Sequence, residues 1–325
     1  MHNCLLTLAT IVCAYGDSHN VETDSIRHDV LNEVEIVAEP KEVETLHQQP
    51  LSSTAIGSEQ IANNHISNIK SINALAPGLY IPAYGSKMTN AIYIRGIGSR
   101  INSPAVRLYV DDVPYIDKSA FDFNLFDAEH IDVIRGPQGT LYGRNTMGGV
   151  IKIQTRSPFL YQGTDVRMGY ATGNHRRHIA LTHSRKASET FAFTIGGYYD
   201  GNNGFFTNSY TGQKIDHGED GGIKWKGVWR PNIHWDVKFN MSYDRSIEGT
   251  YPYFYTGTVN GTEPFKESVG QITTNRDSHY RRQLANASIH TQYNKDAWTF
   301  TSVTSTQHLR DCMQMDQDFI AADIY

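Results

Sequence analysis

Chemistry in this 325-residue chain would be sought first where glycines, histidines or carboxylates cluster. Gly136-Pro137-Gln138-Gly139-Thr140 has glycines close enough to form a backbone cradle. It lacks the lysine and hydroxyl end of a phosphate loop, and Pro137 removes a donor. Arg95-Gly96-Ile97-Gly98 is too short for a dinucleotide fingerprint, and no helix pattern follows it. The 14 histidines are scattered without a paired metal-ligand spacing. His175 and His178 fall in an expected hairpin, where solvation accounts for them. Asp111 and Asp112 are adjacent carboxylates suited to acid–base work, but between Val110 and Val113-Pro114 they mark a tight turn. No GxSxG nucleophile pattern occurs. The expectation is a protein without catalytic residues, metal site or cofactor, and not an enzyme.

The glycines then belong to architecture. Gly136, Gly139, Gly143, Gly148 and Gly149 lie between two β-branched runs in IDVIRGPQGTLYGRNTMGGVIKIQT, residues 131–155. This reads as strand, backbone-dominated turn region, strand. Further strands are expected at 91–95 and 106–110. Ile66, Ile69, Ile72 and Leu75 recur at helical spacing, which predicts a helix over 63–76 stopped by Pro77-Gly78. Residues 46–158 thus form an α+β unit.

From about residue 164 the period becomes two. Trp235, Val237, Phe239, Met241 and Tyr243 share one face, and Asp236, Lys238, Asn240, Ser242 and Asp244 the other. Phe191, Phe193, Ile195 and Tyr199 form a similar stripe, as do Ala285, Ala287, Ile289, Thr291 and Tyr293. Long connections (200–222, 245–282) alternate with short ones (185–189, 231–233, 294–296), so the long loops lie at one end of a sheet. That is the pattern of an outer-membrane barrel, in which only every second residue faces lipid. Mean hydropathy is −0.46, and no apolar run reaches the roughly 18 residues of a spanning helix. The charge of −5 shows no basic stripe, so nucleic acid is not an expected partner.

Residues 1–14 read as a signal peptide, with an apolar run from Cys4 and small residues before a cut after Ala14. Cys312 would then be the one cysteine kept, which leaves no internal disulfide. Residues 15–45 are polar and acidic, a tether holding one short alternating island, Glu33, Val34, Glu35, Ile36, Val37 and Ala38, closed by Pro40.

EVEIVAEP resembles a TonB box. IYIRGIG, RLYVDDVPY and LFDAEHIDVIRGPQGTLYGRNTMGGVIKIQT, in that order, resemble the plug domain of TonB-dependent outer-membrane receptors. The match is dense over about 110 residues; the segment 159–325 resembles the family in periodicity alone. The resemblance implies a plug inside a barrel in outer-membrane lipid of a Gram-negative bacterium. It also implies a scarce solute bound outside, and release powered through the periplasmic TonB protein. TonB would grip residues 33–38 by strand addition. Ferric siderophores are the commonest cargo of such receptors; haem, cobalamin and glycans are alternatives. Two rival readings stand: a passive porin or adhesin-type barrel, which would need no box and no plug, and a secreted sandwich-type binding protein, whose long loops should not alternate in sides. Tyr84, Lys87, Arg100 and Asn102, in loops 82–90 and 98–104, are candidates to meet an anionic iron chelate. Arg95, Arg135 and Arg144 are expected to ion-pair with acids such as Glu129 and Asp132. About seven strands are expected in 159–325, against roughly 22 in such transporters, so an incomplete barrel belonging to a longer protein is expected.

Overall fold

The computed structural model describes residues 52–82, 84, 87–101, 103–256, 269–295 and 298–321. The expected cleavage site, the box-like island and Asn102 lie outside them.

Five strands form the first sheet: β1 (Ser52–Ile56), β4 (Val106–Val110), β5 (Val113–Tyr115), β6 (Ala128–Arg135) and β7 (Gly149–Thr155). Their order is β1-β6-β7-β4-β5, with β4 and β7 parallel and the other pairs antiparallel. A separate small ladder joins β2 (Leu79–Tyr80) to β3 (Tyr93–Ile94). The strand expected at 91–95 therefore shrinks to two residues. Asp111 and Asp112, at φ 46° and 66°, make the two-residue turn between β4 and β5. Positive φ at both positions is what such a turn demands, and aspartate tolerates it.

The helix expected over 63–76 is divided. A short helix α1 covers Ser58–Asn63, and a 3-10 segment covers Ile69–Ala74. His65 takes φ 51°, which no helix accommodates, and Asn68 restarts the chain by accepting from Ser71 N at 3.0 Å. The apolar spacing still served its purpose: Ile66, Ile69 and Ile72 are buried in the core with Val133, Ile151 and Ile153.

Gly149 is where β7 crosses closest to its neighbour. At φ +148°, a Cβ there would stand 2.2 Å from the Ile134 carbonyl oxygen. The glycine-rich connection 136–148 folds over the sheet as a second helix, α2 (Gly139–Tyr142). The Tyr142 ring packs edge-on against Tyr109, with centroids 5.3 Å apart.

The second sheet is a seven-stranded antiparallel meander. It runs β8 (Gly163–Ala171), β9 (Arg176–Lys186), β10 (Phe191–Asn202), β11 (Gly218–Trp229), β12 (Trp235–Glu248), β13 (His279–Lys295) and β14 (Trp298–Gln314). The strand ends flanking the two long connections (β10 to β11 and β12 to β13) lie at one end of the sheet, and those flanking the short ones (β9 to β10, β11 to β12 and β13 to β14) at the other, as the sequence spacing predicts. Among the described residues the sheet is open, with β8 and β14 at its edges. Its outward face carries Ile195, Ile223, Met241, Tyr243, Ile289 and Phe300, all exposed large apolar groups, as a lipid-facing wall requires.

The five-stranded unit sits against the inward face. Leu284 of β13 belongs to its apolar core, and Leu309 of β14 packs on that core. Phe126 meets Ala180 and Tyr198 of the wall. A Cβ on Gly196 would lie 2.7 Å from the Phe126 ring, so that glycine makes room for the plug.

Candidate functional site: the plug–wall interface and the plug apex

The inward face of the wall is polar because every second residue of each strand points at the first domain. Lys224 and Lys226 alternate on β11 and reach it together. Lys224 Nζ lies 2.6 Å from Asp127 and donates to the Asn124 carbonyl, with its charge over the Phe126 ring at 4.9 Å. Lys226 Nζ lies 3.3 Å from Asp111 and donates to Thr155 Oγ1 at 2.7 Å and to its carbonyl at 3.0 Å. Burial alone would push the Asp111 carboxyl up. Lys226 and the hydrogen bonds from Thr155 outweigh it and hold the group below its ordinary value. Arg282 of β13 is buried and donates to the carbonyls of Ser119 and Asp122. Asp122 is itself 2.9 Å from Lys70. Despite burial, Lys70, Lys87 and Arg282 hold its carboxyl low. His290 Nδ1 lies 3.6 Å from Asp112.

These contacts reverse the expected polarity. The sequence suggests plug arginines paired with acids; the structure mostly joins plug acids to basic side chains of the wall. Arg135 instead stitches β1 to β6 with neutral partners: Ser52 Oγ at 3.0 Å, Thr54 Oγ1 at 2.7 Å, and the carbonyls of Ser53 and Pro77. Among the described residues, Arg95 and Arg144 make no ion pair and none reaches Glu129. Arg95 occupies a turn at φ 53°, with its amide bonded to the Gly78 carbonyl at 2.8 Å. Arg144 is exposed. Glu129 stands at a bulge where the β6–β7 register shifts. Asp132 is buried and 2.7 Å from His130 Nε2. Sequence spacing could not reveal the true pairs, because Lys224 and Lys226 become neighbours of Asp127 and Asp111 only after the wall folds around the plug.

Lys87 carries the opposite polarity across the same interface. It stands at the start of a 3-10 turn (Lys87–Thr89), buried, 2.5 Å from Asp220, 3.3 Å from Glu248 and 2.9 Å from Ser246 Oγ. Burial would pull its ammonium down, but Glu248 and Asp220 push it above its ordinary value. A lysine so enclosed by wall acids ties plug to wall and is not a free cation for a solute, which corrects its assignment as a ligand contact.

Tyr84 and Arg100 do come together. The guanidinium lies 4.6 Å from the centre of the Tyr84 ring, a cation–π contact. Tyr93 hydrogen-bonds the Tyr84 phenol and raises its pKa, with Arg100 opposing. Lys118, which the sequence did not single out, donates to the Arg100 carbonyl and adds a second cation there. Tyr253, in the long connection 249–278, donates to the Tyr84 carbonyl at 3.3 Å and packs on Phe319 at 5.4 Å. Ile101, beside Arg100, and Tyr80, packed 6.2 Å from Tyr93, are largely exposed. The cluster thus faces outward at the long-loop end.

A glycine-rich α+β unit seated on the polar face of a meander with an apolar outer face defines a plugged transmembrane β-barrel protein. Residues 45–150 match the family described as the TonB-dependent Receptor Plug Domain. Residues 45–150 thus form a plug domain of that family, and the chain as a whole is similar to TonB-dependent receptors of the Gram-negative outer membrane.

The pesticin receptor of Yersinia enterocolitica (serotype O:8 / biotype 1B) is 32% identical over 127 residues, which cover 38% of this chain and 19% of that receptor. The vitamin B12 transporter BtuB of Vibrio vulnificus (strain YJ016) is 25% identical over 264 residues, 77% of this chain and 41% of the transporter. The crystal structure of the ferric yersiniabactin uptake receptor FyuA from Yersinia pestis matches with a TM-score of 0.70 at 22% identity, covering 81% of this chain and 41% of that one. The ferric-catecholate import receptor Fiu from E. coli K12, in its open form, matches with a TM-score of 0.66 at 18% identity, covering 85% and 41%. The chain therefore spans less than half the length of these relatives.

Proposed function

We propose that this chain supplies the plug and part of the wall of an active-transport receptor that takes up a ferric siderophore, driven through TonB. The observation that carries the reading is the apex pair: an arginine stacked on a tyrosine, with Lys118 beside it, at the end where the long loops lie. An anionic chelate needs cations with directed donors and an aromatic surface, and this cluster offers both. Uptake and import receptors for ferric chelates among the structural relatives support the same class.

The box-like residues 33–38 are the handle in this reading. Extended residues with alternating apolar side chains suit addition to a partner's sheet edge. β1 is the first described strand downstream, so a pull on the tether arrives at β1 and at the Arg135 bonds that hold it. The acceptors are neutral and β1 lies at the edge of its sheet, paired with β6, so it can yield before the buried charge pairs deeper in the interface.

Growth with the ferric chelate as sole iron source, with and without the intact gene, tests the cargo class. Tyr84→Ala with Arg100→Ala in the full-length receptor is expected to weaken chelate binding about tenfold or more. Unchanged affinity would move the site to loops 203–217 and 249–278. Val34→Pro is expected to abolish uptake while surface binding persists, because proline breaks strand addition; normal uptake would remove the handle. The breadth of the BtuB alignment favours cobalamin as the second reading. Uptake of cobalamin, with no gene-dependent growth on ferric chelates, would establish that instead.

A further inference from the structure

We propose that the 3-10 segment Ile69–Ala74 is the positioning element of the solute site, with Asn73 and Lys70 setting the two loops that hold Tyr84 and Arg100. The inference rests on the reading that this pair receives the chelate. In a 3-10 turn, residues three apart eclipse one another. Ile69 and Ile72 therefore stack into the core, and Lys70 and Asn73 stack beside them on a second face. The α-helix that the isoleucine spacing predicts would offset them. Asn68 starts the tighter form by accepting from Ser71 N at 3.0 Å and from Ser71 Oγ at 2.9 Å.

Each of the two side chains grips the root of one loop. The Asn73 side-chain oxygen accepts from Ile81 N at 2.9 Å, and its nitrogen donates to the Ile81 carbonyl at 3.2 Å, as a neighbouring strand would. Pro82 comes next, fixing its own φ and restricting Ile81 to extended backbone, and Tyr84 stands two residues on. Thr89 Oγ1 closes that loop by donating to the Tyr84 carbonyl at 2.9 Å. On the other side, Lys70 Nζ lies 2.9 Å from Asp122. Asp122 follows the short 3-10 turn Lys118–Ala120, which Asp117 caps by accepting from Ser119 N at 2.9 Å. Lys118 of that turn donates to the Arg100 carbonyl. The backbone adds a third tie, from Leu125 N to the Ser67 carbonyl at 2.9 Å. One short segment thus fixes both halves of the cation–π pair. A pair already aligned spares a solute the cost of ordering two loops. By linkage, a chelate that binds the aligned pair also holds the segment in place.

The test uses the full-length receptor, with a ferric tris-catecholate, a ferric tris-hydroxamate and ferric citrate as probes and fluorescence titration as the readout. For the probe that the wild type binds tightest, Asn73→Ala is expected to lower affinity about tenfold. Asn73→Asp keeps the acceptor for Ile81 N and loses the donor, and it should lose as much. In a Tyr84→Ala background, Asn73→Ala should cost less than about twofold more, because a positioning residue acts through the group it positions. Asn64→Ala, which removes an exposed bond to the Gln60 carbonyl, should change nothing. Hydrogen exchange at Ile81 N and Ser71 N in the wild type should slow when the probe binds. Unchanged affinity in Asn73→Ala would overturn the proposal, as would an equal loss with and without Tyr84. A wild type that binds none of the three probes would overturn the chelate reading itself, and the inference with it. Should Asn73→Ala not fold, exchange in the wild type still decides: no slowing at Ile81 N and Ser71 N overturns the proposal.

Discussion

Replacing Lys226 with methionine measures how the wall holds the plug. Lys226 and Asp111 are 3.3 Å apart, with side chains 13% and 14% exposed. At an effective dielectric of about 20 their attraction is about 5 kcal/mol. Removing both charges from water returns most of that, so the intact pair contributes little net stability. Removing one partner is different, because a buried carboxylate is then left uncompensated, at a typical cost of about 3–5 kcal/mol. Asp111 would keep its hydrogen bonds from Thr155 N (3.0 Å) and Thr155 Oγ1 (2.6 Å). The expected loss is therefore at the low end, about 3 kcal/mol. Asp111→Asn combined with Lys226→Met should recover about 2 kcal/mol, since asparagine accepts the positive φ and leaves no stranded charge. Hydrogen–deuterium exchange of β4 and β7 in the full chain reads this directly. The single variant should lose about a hundredfold in protection, and the double variant about tenfold or less. A Lys226→Met variant that loses less than about threefold, or a double variant that loses as much as Lys226→Met alone, would refute the reasoning.

Acid should loosen the same interface. The carboxyls of Asp111 and Asp122 are both held below 3.8 in the folded chain, so the stability they contribute is present above 3.8 and is lost as pH falls through their lower folded values. Protection of β4 and β7 should stay level from neutrality down to that point; a collapse already at about pH 6 would assign control to histidine instead. Gly149→Ala should destabilise the plug by about 3 kcal/mol, through the clash with the Ile134 carbonyl at a φ that alanine resists; unchanged thermal unfolding would show that the strand can shift aside. The 325-residue chain alone should show no channel conductance and no heat-modifiable gel migration, because its seven-stranded sheet leaves two edges; a stable conducting product would contradict the open-sheet reading.

The strands of the wall were legible because lipid and plug impose opposite demands on alternate residues, and Trp235 to Tyr243 obey both. β4, β6 and β7 were legible from β-branched runs. β1 was not, since Ser52, Ser53 and Thr54 carry no apolar signal and the strand depends on Arg135 from elsewhere in the chain. The helix expected over 63–76 shows the limit of periodicity: three isoleucines reached the core as the spacing implies, by way of a break at His65. At the apex, Tyr84 and Arg100 were readable as types suited to a chelate, but Lys118 was not, because only folding brings it to the Arg100 carbonyl. Lys87, read as a similar loop cation, turned inward, since Asp220 and Glu248 offer it two carboxylates in a space that excludes water.

The strands of the wall grow along the chain, from 9 residues in β8 to 17 in β13 and β14. Eight extra residues add about 27 Å along a strand, or about 20 Å of height at the usual tilt. With the short turns at one level, the opposite rim slopes, low beside β8 and tall beside β14. Tyr84 touches Tyr253, in the loop between β12 and β13, so the aromatic and cationic pair stands under the tall side. Along this arc, a solute bound as proposed would have its clearest approach over the low lip, with the tall side as its backstop.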